Sequence, residues 1–388
     1  MFAERMKQLR LARGMSLDDL SAHLDGLVTK QSLSKYEKGL AQPSMKVATR
    51  IAESFGIKAA QLFSEPSIQV ELYGYRKCAS MPKREEKMIE NMVPQELELR
   101  VQLHDKIGGT DVCDLPIKAF KVGAIAEAEG AAMALRRQWE LGTTPIANVV
   151  ALLESRCIHV FPARIESVKF DGTSALARDE DGTIKAAAVV FREGVSGERQ
   201  RFSLMHEIAH LVLDVAPGLD EEKVAHRFAG AFLAPAEVLK REIGAQRSTV
   251  QLQELLILKK HFGMSLQALA FRLRDLGILS DSAYTWLYIQ FSKHGMRKSE
   301  PAELPQEEPQ WLKRTVLRAL SEGQLTSVEA SRLTGDVYES AQQDFIDRRA
   351  FMKLTPPERQ RVLQEQAEHL KEHYGSLKNL GGGEFLDY

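Results

Sequence analysis

The 388 residues predict a mainly α chain with one small β-sheet, an α+β fold. Three observations lead there. Residues 1–65 place apolar residues at helical spacing in short blocks broken by Gly14, Gly26, Gly39 and Gly56, which reads as an all-α head with tight turns. Short β-rich runs cluster in "IHVFPARI", "DGTSALARDEDG" and "KAAAVVF", between residues 158 and 191, with Asp-Gly pairs at 171–172 and 181–182 as turn signals. Beyond residue 191 the chain returns to helical periodicity and continues into a helical C-terminal extension.

A chain of this length predicts two or three domains. The first is the head, 1–65. Its residues 1–62 hold ten Lys and Arg against six Asp and Glu, a net of +4; the whole chain sums to −1, which leaves the remainder acidic by five. Residues 66–122 read as a connector that packs on the central domain. It contains a candidate strand, "SIQVELYGYRKCA", and a charged helical stretch, "KREEKMIENMVPQELELRVQLHDKIGG", which Pro94 is expected to interrupt. Residues 123–298 form the central domain. Residues 299–388 begin with "EPAELPQEEP", read as a solvated linker, and continue as helical patches near 310–350 and 355–373 that offer a partner-binding segment. Trp139 and Trp286 read as core. His104, His159, His261 and His294 have no partner at ligand spacing and read as surface or core.

The hydrophobic share of 44% and charged share of 27% fit a soluble globular protein and exclude a membrane span, since no apolar run is long enough. The three cysteines, Cys78, Cys113 and Cys157, are widely spaced without a C-x-x-C pair, which points to ordinary thiols in a reducing compartment. The N-terminus has no apolar stretch before a small-residue cleavage site, so a cytoplasmic location is expected.

Within the head, "MSLDDLSAHLDGLVTKQSLSKYEKG" has the layout of two short helices and a turn. Ser16 can cap the first with Asp19 three positions on, and Leu17, Leu20 and Leu24 form its buried face. Thr29 can cap the second, whose Leu33 and Tyr36 face inward. Lys30, Gln31, Ser32 and Lys35 then face outward, where a recognition helix meets base edges and phosphates. With Glu37, Gly39, Pro43 and Ser44 next along the chain, the stretch resembles the Xre/Cro helix-turn-helix family, although its turn "LDGLV" is about two residues longer than usual. That resemblance implies double-stranded operator DNA as partner and a homodimer as the binding unit. The competing reading is a helical interaction module without DNA binding.

The second motif is H-E-x-x-H in "RFSLMHEIAHLVLD". Histidines at i and i+4 share one helical face, so His206 and His210 can present imidazole nitrogens to one metal ion. Glu207, next in sequence, lies beside that ion and can accept a proton from water as general base. The competing reading is an apolar helix that happens to hold two histidines. A catalytic zinc needs a third protein ligand and one open position.

"RFSLMHEIAHLVLD" followed by "EEKVAHRFAGAFLAP" resembles the ImmA/IrrE family of zinc metallopeptidases, over about residues 70–295. The resemblance implies a zincin-like metallopeptidase core, one Zn2+ per chain and Glu222 as third ligand, with Glu221 as the neighbouring alternative. This chain departs from the family in having His226 where asparagine is usual and Asp214 where histidine is frequent. His226 reads as a core or supporting residue rather than as a fourth ligand.

Together the motifs lead to a DNA-binding transcriptional regulator with a zinc-dependent endopeptidase. The resemblance implies that it cleaves a helix-turn-helix repressor in a stress or mobile-element response. Self-cleavage is a variant. The alternative is a non-catalytic repressor or antitoxin that holds a cognate toxin through its peptidase-like domain and tail.

Overall fold

The computed structural model describes residues 1–73, 81–109 and 115–338, with 351, 354–361 and 363–364 of the tail. Cys78, Cys113, part of the candidate strand and much of the second tail patch lie outside these residues.

Helices α1 (Phe2–Ala12), α2 (Leu17–His23), α3 (Lys30–Glu37) and α4 (Met45–Ser54), with a 3₁₀ turn at Ala59–Leu62, make the head. They enclose Met6, Leu9, Leu20, Leu24, Leu33 and Ile51. Ser16 and Asp19 form a reciprocal capping box on α2, and the Thr29 hydroxyl accepts from Ser32 N on α3. Arg10 donates to both carboxylate oxygens of Glu37, at 2.7 and 2.9 Å, which locks α1 to α3.

Strand β1 (Gln69–Tyr73) leads to α5 (Lys83–Lys106), which runs through Pro94 without a break. The expected interruption fails for a physical reason. Ile89, Val93, Leu97 and Val101 recur every four residues and form one buried stripe against the sheet. Burial of that stripe outweighs the ~3 kcal/mol that a helix-interior proline costs. The other face of α5 receives the head: Arg5 meets Glu98 at 2.6 Å, Gln95 donates to Gln8 O, and Arg84 donates to Gly14 O.

After β2 (Phe120–Val122), α6 (Ala128–Gln138) and α7 (Val149–Glu154) come β3 (Ile158–Ala163), β4 (Gly172–Arg178) and β5 (Ile184–Arg192). The sheet order is β1-β4-β5-β3, antiparallel except for the β3–β5 pair. Alternation along β5 sends Ala186, Ala188 and Val190 towards α5, and Ala187, Val189 and Phe191 towards α8 (Gly197–Val212). The central strand is thus buried on both faces, which explains its unbroken apolar run. Asp181–Gly182 does form the β4–β5 turn, with the Asp179 carboxylate accepting from Asp181 N and Thr183 N. Asp171–Gly172 does not form a turn; Gly172 is the first residue of β4.

Beyond α8 the chain forms β6 (Leu213–Val215), parallel to β2, and then α9 (Glu221–Leu233), α10 (Ala236–Ile243), α11 (Leu252–Phe262), α12 (Leu266–Asp275) and α13 (Asp281–Lys293). Trp139 is buried edge-on against Phe232. Trp286, expected in the core, is 52% exposed, because α13 turns Leu287 and Phe291 inward instead.

Residues 300–310 correct the solvated-linker reading. They form a strap across α8 and its neighbours. Lys259, fully buried, contacts Glu198 and Glu300 at 2.5 and 2.9 Å. Burial alone would lower this ammonium; hydrogen bonds to the two carboxylates outweigh it and raise its pKa. Glu300 also accepts from Leu266 N and Gln267 N at the start of α12. Glu307 accepts from Arg201 and from Val150 N, while Glu154 accepts from Gln310 N and Trp311 N. The proline and glutamate composition is thus put to use: prolines keep the strap extended, and its glutamates meet buried donors. Glu300→Ala is expected to cost about 2–3 kcal/mol, since it removes a hydrogen-bonded partner of a buried charge together with a helix cap. Urea unfolding checks this, and an unchanged midpoint would refute it.

The strap delivers α14 (Trp311–Ser321) and α15 (Ser327–Thr334) onto Leu103 of α5 through Val316, Ala319, Leu325 and Ala330. Glu329 meets Lys58 of the head, and that contact holds its carboxyl down at about 2.

Candidate metal centre

Helix α8 is anchored by its apolar residues Leu204, Met205, Ile208 and Leu211, which are buried against the sheet and α9. Their spacing fixes the rotation of the helix and so directs His206 and His210 to one flank. The C-terminal carbonyls of α8 are satisfied from the segment before β2: Lys118 Nζ donates to His210 O, and Lys118 N donates to Leu211 O, both at 2.9 Å. A cation at that end also suits the helix dipole. Helix α9 is N-capped by Asp220, whose carboxylate accepts from Lys223 N, and this cap sets Glu222 in the first turn.

The two helices bring His206, His210 and Glu222 together. The Nε2 atoms of the histidines are 3.2 Å apart. Glu222 Oε2 lies 3.3 Å from His206 Nε2, and Glu222 Oε1 lies 3.6 Å from His210 Nε2. A tetrahedral zinc with arms of roughly 2.0–2.2 Å has ligand–ligand edges of roughly 3.3–3.6 Å. The three donor atoms therefore have the spacing of one face of such a tetrahedron, and the residues fit the ion. Glu221, the alternative, is exposed and outside this group.

Glu207 is buried beside the two histidines. Ser174 Oγ of β4 donates to its Oε2 at 3.5 Å, and Thr173, one residue earlier, is tied to Tyr73 O of β1. Gly172 explains itself here. A Cβ at this position would lie 2.8 Å from Val190 O and 3.1 Å from Glu207 Cγ. Only glycine lets the strand pass that close to the glutamate. Gly172→Ala should destabilise by about 1–3 kcal/mol and displace the Glu207 side chain. Thermal unfolding and a crystal structure of the variant check this, and an unmoved carboxylate at wild-type stability would contradict it.

Neither Ser174 nor Gly172 had a distinguishing mark in the sequence; the glycine sat in a pair that reads as a turn. His226, expected as a core or supporting residue, is exposed, with its ring 4.7 Å from that of His206 and 5.4 Å from Phe202. It forms an aromatic rim to the candidate centre and is outside the group of His206, His210 and Glu222. Asp214 falls on β6, past the end of α8.

In the head, Lys30, Gln31 and Lys35 are exposed on α3. Lys30 reaches Asp18 on α2, and Ser32 is half-buried, its hydroxyl 3.1 Å from that of Thr29. No helix among the described residues is long and apolar enough to cross a membrane.

Residues 6–62 match the family model described as helix-turn-helix, and residues 158–274 match that of the IrrE N-terminal-like domain, a peptidase family. The second match contains His206, Glu207, His210 and Glu222. One relative is an SPbeta prophage-derived uncharacterized HTH-type transcriptional regulator, YonR, of Bacillus subtilis (strain 168), 32% identical over 72 residues. That match covers 19% of this chain and 65% of the relative, just under two thirds of its length.

Proposed function

We propose, from a chain that joins an Xre-type helix-turn-helix to an IrrE/ImmA-like domain, a cytoplasmic DNA-binding transcription regulator that is also a zinc-dependent endopeptidase. The observation that supports the enzyme reading is the triangle of His206, His210 and Glu222 with Glu207 buried next to it. Zinc bound there would supply a Lewis acid and lower the pKa of water to roughly 7. The chain's own residues do the rest. Glu207, oriented by Ser174, takes the proton of the attacking water on its carboxylate and returns it to the leaving amine nitrogen. Gly172 keeps the space that this carboxylate needs. Phe202 and His226 border the centre and limit which substrate side chains can lie against it.

The proposed substrate is a helix-turn-helix repressor bound near the same operator. The head, acting as a homodimer on two half-sites, would hold the peptidase beside that substrate and raise its effective concentration. To test this, the zinc-loaded chain is incubated with repressors encoded beside its gene, with and without single-stranded DNA and with and without chelator. Chelator-sensitive cleavage at one bond is expected. Operator binding without cleavage of any candidate would favour the non-catalytic repressor or antitoxin.

A further inference from the structure

The first turns of α5 bring basic side chains up against the DNA-reading helices. Lys83, Arg84 and Lys87 are exposed, and Lys87 is the helical neighbour of both others, at i+4 from Lys83 and i+3 from Arg84. Arg84 is fixed to the head: its Nε donates to Gly14 O at 2.8 Å, and its Nη2 lies 3.7 Å from Asp19 Oδ2. Asp19 and Asp18 belong to the first turn of α2, and Asp18 holds Lys30 of the recognition helix at 2.5 Å. One acidic turn therefore bridges Lys30 and Arg84. On the other side, Lys87 lines a groove together with Lys38, the C-cap of α3, and Lys7 of α1. Of the acidic neighbours, Glu85 is turned away to accept from Glu166 N and Glu86 is half-buried; Glu4, Glu37 and Glu90 line the groove with the three lysines, and Glu37 is neutralised by Arg10.

In a helix-turn-helix complex the first helix of the motif crosses the phosphate backbone while the second enters the major groove. Helix α2 is thus the part of the head that lies across the backbone, and α5 is built against its N-terminus. We propose that Lys83, Arg84 and Lys87 form part of the DNA-binding face and contact backbone phosphates of duplex DNA that flank the bases read by α3. The contribution is independent of base sequence, and it comes from the helix that packs on the peptidase sheet. Bound DNA would then touch both the head and α5 and hold them in one arrangement.

The inference rests on DNA binding by the head, and the test separates the two. Binding of the full chain to a labelled 30-base-pair duplex of random sequence is measured by anisotropy between 50 and 200 mM salt. Removing one phosphate-bound cation should reduce the slope of log K against log salt by about 0.9. The triple variant Lys83→Ala/Arg84→Ala/Lys87→Ala is expected to lose about 2.7 in slope and to bind roughly 10-fold more weakly at 50 mM. Lys83→Ala/Lys87→Ala leaves the Arg84 bond to Gly14 in place and should lose about two thirds of that slope, so a folding defect cannot explain the result. Lys240→Ala/Lys260→Ala/Lys293→Ala, which removes equal charge elsewhere, should bind like wild type. Wild-type slope in both α5 variants, or an equal loss in the control, would overturn the inference and leave DNA binding standing. Absence of any binding by the wild-type chain would overturn both.

Discussion

Glu207→Gln should abolish peptide cleavage, lowering kcat/KM by about 10²–10⁴-fold, and leave zinc content and DNA affinity unchanged. The change keeps the volume of the side chain and its contact with Ser174, so it still fits in the space that Gly172 leaves open. What it removes is a carboxylate that can accept a proton. Since Glu207 is not one of the three residues that converge on the ion site, the metal should stay. The KM should move little, because the loss concerns the chemical step. A variant that retains full cleavage would rule out Glu207 as base. A variant that loses zinc as well would show that the residue serves the ion and not the proton.

His210→Ala should reduce zinc from about one per chain to a trace and abolish stabilisation by added zinc. A ligand that binds only the folded state at 100 times its Kd stabilises by about 2.7 kcal/mol. Wild type should gain about this much at such a zinc concentration and the variant nothing. In the absence of zinc the two should unfold at similar denaturant concentrations. His210 is less deeply placed than His206, with 11% against 6% of its side chain exposed, so its removal leaves the smaller cavity. Equal stabilisation of both proteins by zinc would place the ion elsewhere. Binding to random-sequence duplex should survive the change, because none of the proposed DNA contacts involves His210.

The sequence made the local features legible because each has a local cause. Ser16 and Asp19 cap α2 because the capping box spans only four residues. His206 and His210 face one way because helical periodicity alone decides it. The third candidate ligand was a different matter. Glu222 lies on another helix, and only resemblance distinguished it from Glu221; α9, capped at Asp220, turns 222 and not 221 towards the histidines. Features that depend on distant packing were misread. Pro94 sits inside a helix because the sheet covers the stripe around it, and residues 300–310 are held because Lys259 and Arg201 wait for their carboxylates. Gly172 is the clearest case. Its neighbour Asp171 makes a turn signal, yet the glycine is required by Glu207, thirty-five residues away. Trp286 shows the opposite failure, a large apolar residue on an amphipathic helix whose buried face lies elsewhere.

The enzyme reading depends most on one ion held by two imidazoles and one carboxylate from two adjacent helices. Zinc K-edge X-ray absorption on the purified chain tests this directly. The expected result is one zinc per chain in a shell of nitrogen and oxygen neighbours at roughly 2.0–2.2 Å, with the imidazole signature of two histidines and no sulfur. A chain purified without stoichiometric metal, or a zinc with a thiolate neighbour at about 2.3 Å, would contradict it.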